Sequence, residues 1–251
     1  MNERQQKIQR LVIENGEVKL SELKKTFPNV SSMTLRRDLE KLENTGEIVR
    51  IRSGAKSIAH LTRLKEEMYS ERMRENVPEK LLIAKKAHRL IEQGCCVFLD
   101  SGTTVTNLAN LLGSDKLFVI TTAPNIALEC AKNPDITVFV TGGRLNNDNL
   151  SLSGMDALSF FEKINIDIAF VVASGYSQRN SFSCGNYDES MLKKRVIEKA
   201  SKVVMLMDSS KYGKNLPFTF AALSDIDFFI TDDGLDREFM DELQSCNIEI
   251  L

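Results

Sequence analysis

The stretch Val97-Phe98-Leu99-Asp100-Ser101-Gly102-Thr103-Thr104 runs an apolar segment straight into a glycine flanked by three hydroxyls. Such a passage reads as a short buried strand that turns through Gly into the first turn of a helix. The same unit recurs outward from it. Apolar strands are predicted at 97–99, 117–121, 136–140, 166–173, 203–207, 228–231 and 248–251, and amphipathic helices at 103–112, 124–132, 153–161, 188–200 and 235–244. Strand and helix in alternation predict a Rossmann-like α/β domain with a mainly parallel sheet and helices on both faces.

The turn after residue 99 has the chemistry of an anion site. Backbone N–H groups at a helix start, a glycine that permits close approach and the hydroxyls of Ser101, Thr103 and Thr104 suit a phosphate, although Ser and Thr also serve as ordinary N-caps. Ligands of open parallel sheets sit outside the carboxyl ends of the strands. Three further polar strand ends are expected there: Thr121-Thr122-Ala123-Pro124-Asn125, Thr141-Gly142-Gly143-Arg144 and Asp208-Ser209-Ser210-Lys211. From these the candidate effector residues are Asp100, Ser101, Gly102, Thr103, Thr104, Thr122, Asn125, Gly142, Gly143, Arg144, Asp208 and Lys211, with Lys211 as a point charge for phosphate and Asp208 as a hydroxyl acceptor.

The N-terminal residues follow a different plan. Helical spacing is expected over 3–13 and 20–27, the latter broken by Pro28, and a third helix capped by Ser31 or Ser32 runs through Asn44. Its Leu35, Leu39 and Leu42 form one buried stripe. An alternating segment at 47–52 ends at Ser53-Gly54, which completes a winged helix-turn-helix. Opposite the leucines lie Met33, Arg36, Arg37, Glu40 and Asn44, flanked by Ser32, Thr34 and Lys41. Arg reads guanine edges or grips phosphate, and Ser and Thr make either contact. The candidate DNA residues are Ser32, Met33, Thr34, Arg36, Arg37 and Lys41, with Arg50 and Arg52 on the wing. A solvated protein-binding unit is the alternative at this point.

Charge separates the two regions. The 251 residues carry a net charge of −2, but residues 1–58 hold 12 Lys and Arg against 8 Asp and Glu while the other 193 hold 21 against 27. A basic head and an acidic body are expected when one segment meets phosphate and the other does not. The charge-dense stretch 57–78, ending at Pro78, reads as a helical linker. The expected domains are therefore 1–57 for DNA binding, a linker at 58–76, and 77–251 for effector binding and oligomerisation. No apolar run approaches the ~18 residues of a membrane span. No secretory leader is visible at the start, so a cytoplasmic protein is expected. Five cysteines without metal-ligand spacing read as small buried hydrophobes, and two histidines, His60 and His88, offer little to a metal site. Neither cofactor nor metal is expected.

The segments Gly16-Glu17-Val18-Lys19-Leu20-Ser21-Glu22-Leu23, Thr34-Leu35-Arg36-Arg37-Asp38-Leu39 and Gly46-Glu47-Ile48-Val49-Arg50, and in the body Phe98 to Thr104, Thr141-Gly142-Gly143, Asp208-Ser209-Ser210-Lys211 and Ile230-Thr231-Asp232, resemble the DeoR family of bacterial transcriptional regulators over nearly the whole chain. The chain departs from that pattern in a turn at 27–30 one residue longer than usual, in Arg52-Ser53-Gly54-Ala55 at the wing tip, and in Thr122 where many relatives carry Asn. The resemblance implies a repressor of carbohydrate-metabolism genes. It further implies an effector domain akin to ribose-5-phosphate isomerases that senses a phosphorylated sugar, with Gly175, Glu189 and Lys193 added to the effector site. The implied partners are a double-stranded DNA operator, the sugar metabolite and further copies of the chain as a dimer or tetramer, with no membrane.

That relation raises an isomerase-like enzyme with a nucleic-acid-binding head as the rival. Isomerisation needs a placed carboxylate base. The loop Ala173-Ser174-Gly175-Tyr176-Ser177-Gln178 lacks the acids that the isomerases carry there, which leaves Glu189 as the remaining carboxylate and favours sensing over catalysis. A protein-binding adaptor is the third reading.

Overall fold

The computed structural model describes residues 3–15, 17–44, 46, 48–51, 53–57, 68–113 and 116–251. The chain forms two compact units, Met1–Lys65 and Glu66–Leu251. Arg52, His60 and residues 58–67 of the expected linker lie outside the described residues.

In the first unit, α1 (Glu3–Asn15), α2 (Leu20–Thr26) and α3 (Ser32–Glu43) enclose Ile8, Val12, Leu23, Leu35, Leu39 and Leu42. Ser31 is the cap of α3: its Oγ accepts from the Thr34 amide at 3.1 Å, satisfying one of the free N–H groups of the first turn. Strands β1 (Glu17–Lys19), β2 (Ile48–Ile51) and β3 (Gly54–Ser57) form an antiparallel sheet in the order β1-β3-β2. A Cβ at Gly54 would fall 2.0 Å from the Val18 carbonyl oxygen, so β1 reaches the wing only at a glycine. Strand β1, three residues long, was not expected. One buried charge ties α3 to α1: Asp38 accepts from Arg4 Nε at 2.7 Å and Gln5 Nε2 at 2.8 Å. Burial raises the Asp38 pKa, but the bonds from Arg4 and Gln5 outweigh it and hold the carboxyl below its ordinary value.

The second unit is built on a seven-stranded, wholly parallel sheet in the order β15-β14-β12-β9-β4-β5-β6. The strands are β4 (Cys96–Leu99), β5 (Leu117–Thr121), β6 (Ile136–Val140), β9 (Ile166–Val172), β12 (Ala200–Leu206), β14 (Phe228–Ile230) and β15 (Glu249–Ile250). Successive side chains point to opposite faces. Phe98, Ala169, Val171, Val203 and Met205 pack on one side beneath α8 (Met155–Phe160), α9 (Tyr187–Lys199) and α10 (Arg237–Ser245). On the other, Val97, Leu99, Ile168, Phe170 and Val204 pack against α5 (Val77–His88), α6 (Thr103–Ala109) and α7 (Pro124–Cys130). Two smaller elements were not expected: the hairpin β7 (Arg144–Asn146) with β8 (Ser151–Ser153), and an antiparallel sheet of β10 (Gly175–Ser177), β11 (Ser181–Cys184) and β13 (Phe218–Ala221).

Two expectations change here. Residues 69–76, read as linker, are part of the second unit. Helix α4 (Tyr69–Arg72) is pinned by the Tyr69 amide to the Asp148 carbonyl at 2.7 Å, and the Tyr69 hydroxyl lies 2.8 Å from Thr106 Oγ1. Pro78 opens α5 rather than ending a helix, since the first helical turn has no use for its missing N–H. The cysteines are also mixed: Cys130 and Cys184 are buried, Cys95 and Cys96 half-buried, and Cys246 is exposed.

A buried charge cluster fastens α9 to the sheet. Lys193 pairs with Asp100 Oδ2, lies 3.2 Å from Glu189 Oε1 and donates to the Val172 carbonyl at 3.0 Å. Asp100 Oδ2 also accepts the Val172 amide at 3.0 Å, and its Oδ1 accepts the Ser101 amide at 2.8 Å. Burial by itself works against the Lys193 charge, but the Asp100 and Glu189 carboxylates more than offset it and raise the lysine pKa.

Both charge sites predict measurable losses. Removing Lys193 leaves two buried carboxylates without a counter-charge, so Lys193→Met costs ~3–5 kcal/mol in chemical denaturation of the second unit. A variant within about 1 kcal/mol of wild type contradicts this view of the cluster. Asp38→Ala reduces hydrogen-exchange protection of α3 by ~1.5–3 kcal/mol at neutral pH, the usual worth of bonds to a charged group. Because the folded pKa of Asp38 is depressed, its contribution is present above the unfolded value of ~3.9 and fades as pH falls through the folded value. The gap between variant and wild type therefore closes in acid.

Candidate functional site

The head presents the expected reading face. Ser32, Met33, Arg36, Arg37, Glu40 and Lys41 are exposed on α3, and Met33 is 64% exposed. Thr34 is half-buried, with its hydroxyl 2.8 Å from Ser31 Oγ, so it belongs to the cap as much as to the reading face. Arg50 is partly committed within the wing: its amide donates to Glu43 Oε1 at 2.9 Å and its Nε to Oε2 at 2.7 Å. Those two bonds, the backbone one first, depress the Glu43 pKa. The turn between α2 and α3 is held by Lys24, whose ammonium donates to the Val30 carbonyl at 2.6 Å and the Pro28 carbonyl at 3.3 Å.

In the body, strand order creates the cleft. From β4 the chain proceeds to β5 and β6 on one side, while β9, β12, β14 and β15 lie on the other. The β4/β9 boundary is therefore the topological switch point where the connections diverge. A cleft of about 470 Å³, open to solvent, lies at the carboxyl ends of β4, β9 and β12. Ser101, Gly102, Thr103 and Thr104 line it after β4, and Val172, Ala173 and Ser174 after β9. Leu206, Met207, Asp208 and Lys211 line it after β12, with Glu189 entering from α9. No side chain caps α6, so the amides of Thr103 and Thr104 stay open to a ligand. Gly102 is required by proximity: a Cβ there would lie 2.8 Å from Val172 Cγ2.

Of the expected effector residues, the cleft brings together Ser101, Gly102, Thr103, Thr104, Glu189, Asp208 and Lys211. Asp100 and Lys193 lie buried in the ion cluster described above. They support the cleft without lining it. The turns after β5 and β6 do not reach the cleft, because β9 rather than β5 stands between β4 and β12. Thr122 is buried, with its carbonyl bonded to the Leu152 amide at 2.7 Å, and Asn125 donates to the Tyr69 hydroxyl at 2.9 Å. Gly142 and Gly143 are exposed, and Arg144 reaches Asp188 at 3.2 Å on the surface. At Gly175 a Cβ would lie 2.6 Å from the Lys214 carbonyl oxygen, which fits a packing role. Glu189 is tied to Lys193 and to the Asn149 amide.

Two lining cations escaped the sequence reading, Arg72 and Lys80. Arg72 comes from the stretch whose charges look like those of a solvated linker helix, and Lys80 from just beyond it, on α5. Lys80 is buried and donates to the carbonyls of Arg72 and Glu75, the latter at 2.7 Å. Desolvation, then repulsion from Lys211, lowers its pKa.

Among the described residues no group of three or more His, Cys, Asp or Glu is placed to hold a metal ion, and no helix is long and apolar enough to cross a membrane.

Comparison with known proteins agrees with this division. Residues 4–60 match the DeoR-like helix-turn-helix domain, and residues 75–233 match the DeoR C terminal sensor domain. The chain is 35% identical to the HTH-type transcriptional regulator YulB of Bacillus subtilis, over 99% of this chain and 95% of that one. It is 34% identical to the HTH-type transcriptional regulator GlpR of Haloferax volcanii, over 88% and 86%. It is also 32% identical to the HTH-type transcriptional repressor GlcR of Bacillus subtilis, over 90% and 86%. Among solved structures, ribose 5-phosphate isomerase A of Methanocaldococcus jannaschii is similar over 54% of each chain at 22% identity with a TM-score of 0.40, too slight a likeness to bear on activity. With a helix-turn-helix unit matched at one end and a sensor domain at the other, the chain belongs to the DeoR family of DNA-binding transcriptional regulators.

Proposed function

We propose that the protein is a repressor of carbohydrate-metabolism genes whose body senses a phosphorylated sugar or related metabolite that changes operator affinity. The observation that carries the sensing half is the cleft at the switch point. Open amides and hydroxyls of residues 101–104 face the same space as Lys211, while Glu189 and Asp208 offer acceptors for sugar hydroxyls. A relative named as a repressor supports the direction of control. Ser32, Met33, Thr34, Arg36, Arg37 and Lys41 make the operator contacts, with Arg50 and Arg52 on the wing. A single head with four or five phosphate contacts binds weakly at cellular salt, since affinity falls with a log-log slope of roughly −0.9 per neutralised phosphate. Oligomerisation to a dimer or tetramer through the body supplies paired heads, and the protein acts in the cytoplasm.

Sensing is favoured over isomerisation because Glu189, the acid of the rival reading, is held by Lys193 and Asn149 rather than free to shuttle a proton. Turnover of an aldose phosphate that disappears in Glu189→Gln overturns this choice. The two halves separate by mutation. Arg37→Ala weakens operator binding in gel shifts by ~1–3 kcal/mol and leaves sugar-phosphate binding intact. Lys211→Ala does the reverse in a calorimetric titration, and equal losses in both assays contradict the two-module mechanism.

A further inference from the structure

We propose that Arg72 is a direct ligand of the effector's anionic group, and that through it the bound anion stabilises residues 69–76, near the start of the described part of the body. This inference rests on the reading of the cleft as an anion site. It adds a residue outside the strand-end turns and a route from occupancy to the connecting chain.

Two unsatisfied groups face each other's space. Arg72 lines the cleft with Nε and one terminal nitrogen, Nη2, buried and without a hydrogen-bond partner. Ser101 lines the same cleft, is 3% exposed, and its Oγ is likewise buried and unpartnered. Buried polar groups are nearly always paired, and a guanidinium donating from two nitrogens matches two oxygens of one phosphate or carboxylate. Helix α6 has only seven residues, so its N-terminus alone offers a small attraction and side-chain cations must carry much of the recognition. Lys80 and Lys211 line the cleft beside Arg72, and an anion relieves their mutual repulsion.

The Arg72 backbone is fixed from α5. Lys80 grips the carbonyls of Arg72 and Glu75, which makes it a positioning residue. Upstream, Tyr69 is held by Thr106 and Asn125. Downstream, Asn76 sits in the left-handed region at φ 48° and donates to Asp208 Oδ1 at 3.2 Å and Ser210 Oγ at 2.9 Å. The half-buried side chain between these anchors lines the cleft with two buried nitrogens that have no hydrogen-bond partner. Filling the cleft completes its bonds, so occupancy stabilises the whole segment.

The test uses the full chain with inorganic phosphate, then ribose 5-phosphate, as probes. Thermal shift and calorimetry give affinity, and hydrogen exchange gives protection of residues 69–76. Phosphate is expected to stabilise the wild type and protect 69–76. Arg72→Met should bind at least about tenfold more weakly, the lower end for a charge-assisted bond, and show no ligand-induced protection. Its ligand-free melting temperature should not fall, because two buried donors without partners have been removed. Arg72→Lys, which keeps the charge without the fork, should fall between, and it serves if the Met variant does not fold. Arg72→Met binding within twofold of wild type, while Lys211→Ala loses binding, overturns the Arg72 assignment and leaves the anion cleft standing. Phosphate that binds without protecting 69–76 overturns the coupling. No response of the wild type to either probe overturns the anion reading and this inference with it.

Discussion

Lys193 sits where two diverging halves of a parallel sheet meet. At a switch point the strand ends have nothing above them, and the backbone groups just beyond β4 and β9 need partners before any cleft can persist. The Asp100 carboxylate takes the amides of Ser101 and Val172, and Lys193 takes the Val172 carbonyl and the Asp100 charge together. One buried pair thus staples β4 to β9, and the next residues of each turn, Ser101 to Thr104 and Ala173 to Ser174, line the cleft. The same lysine reaches Glu189 one turn earlier on α9 and sets that carboxylate at the rim. A buried pair is weak evidence for stability by itself, because an apolar replacement often does as well. Its value here lies in the geometry it imposes.

The parallel sheet was legible because most of its strands are short runs of apolar residues, a pattern that survives without knowledge of neighbours and persists even in β6, where Phe139 and Val140 are exposed. Strands β5 and β6 were delimited to the residue for that reason. The elements that escaped depend on distant partners. Strand β11 is completed by β13 at residues 218–221, and Gly175-Tyr176-Ser177 carries no periodicity of its own. Pro78 was misleading because one residue type both ends and begins helices. Valine before it and Glu-Lys-Leu-Leu-Ile-Ala after it were the signal for a beginning.

The site was half legible for a related reason. The polar turn at 100–104 and the cation at 211 are local features of the sequence, and residues 101–104 and 211 do line one cleft. Which other strand ends join them is a matter of strand order, which local pattern does not contain. The sheet places β9, whose following residues Ala173 and Ser174 are chemically plain, between β4 and β12. It moves Thr122, Asn125 and the 142–144 turn to the far side of β4. Arg72 was hidden differently, since a charged residue among charged neighbours has a solvated surface as its ordinary explanation.

The charge division acquires a finer structure from these placements. The body is acidic as a whole, yet one cleft gathers three cations, Arg72, Lys80 and Lys211, against two carboxylates, Glu189 and Asp208. A field concentrated by low-dielectric walls attracts anions strongly only at close range, because free charges are screened beyond ~8–10 Å at physiological salt. A recessed site at strand ends suits a small anion better than the continuous backbone of a duplex. On the proposed reading, the acidic body disfavours the polymer while the recessed cations favour a small anion, so the operator and the effector need not compete for one surface.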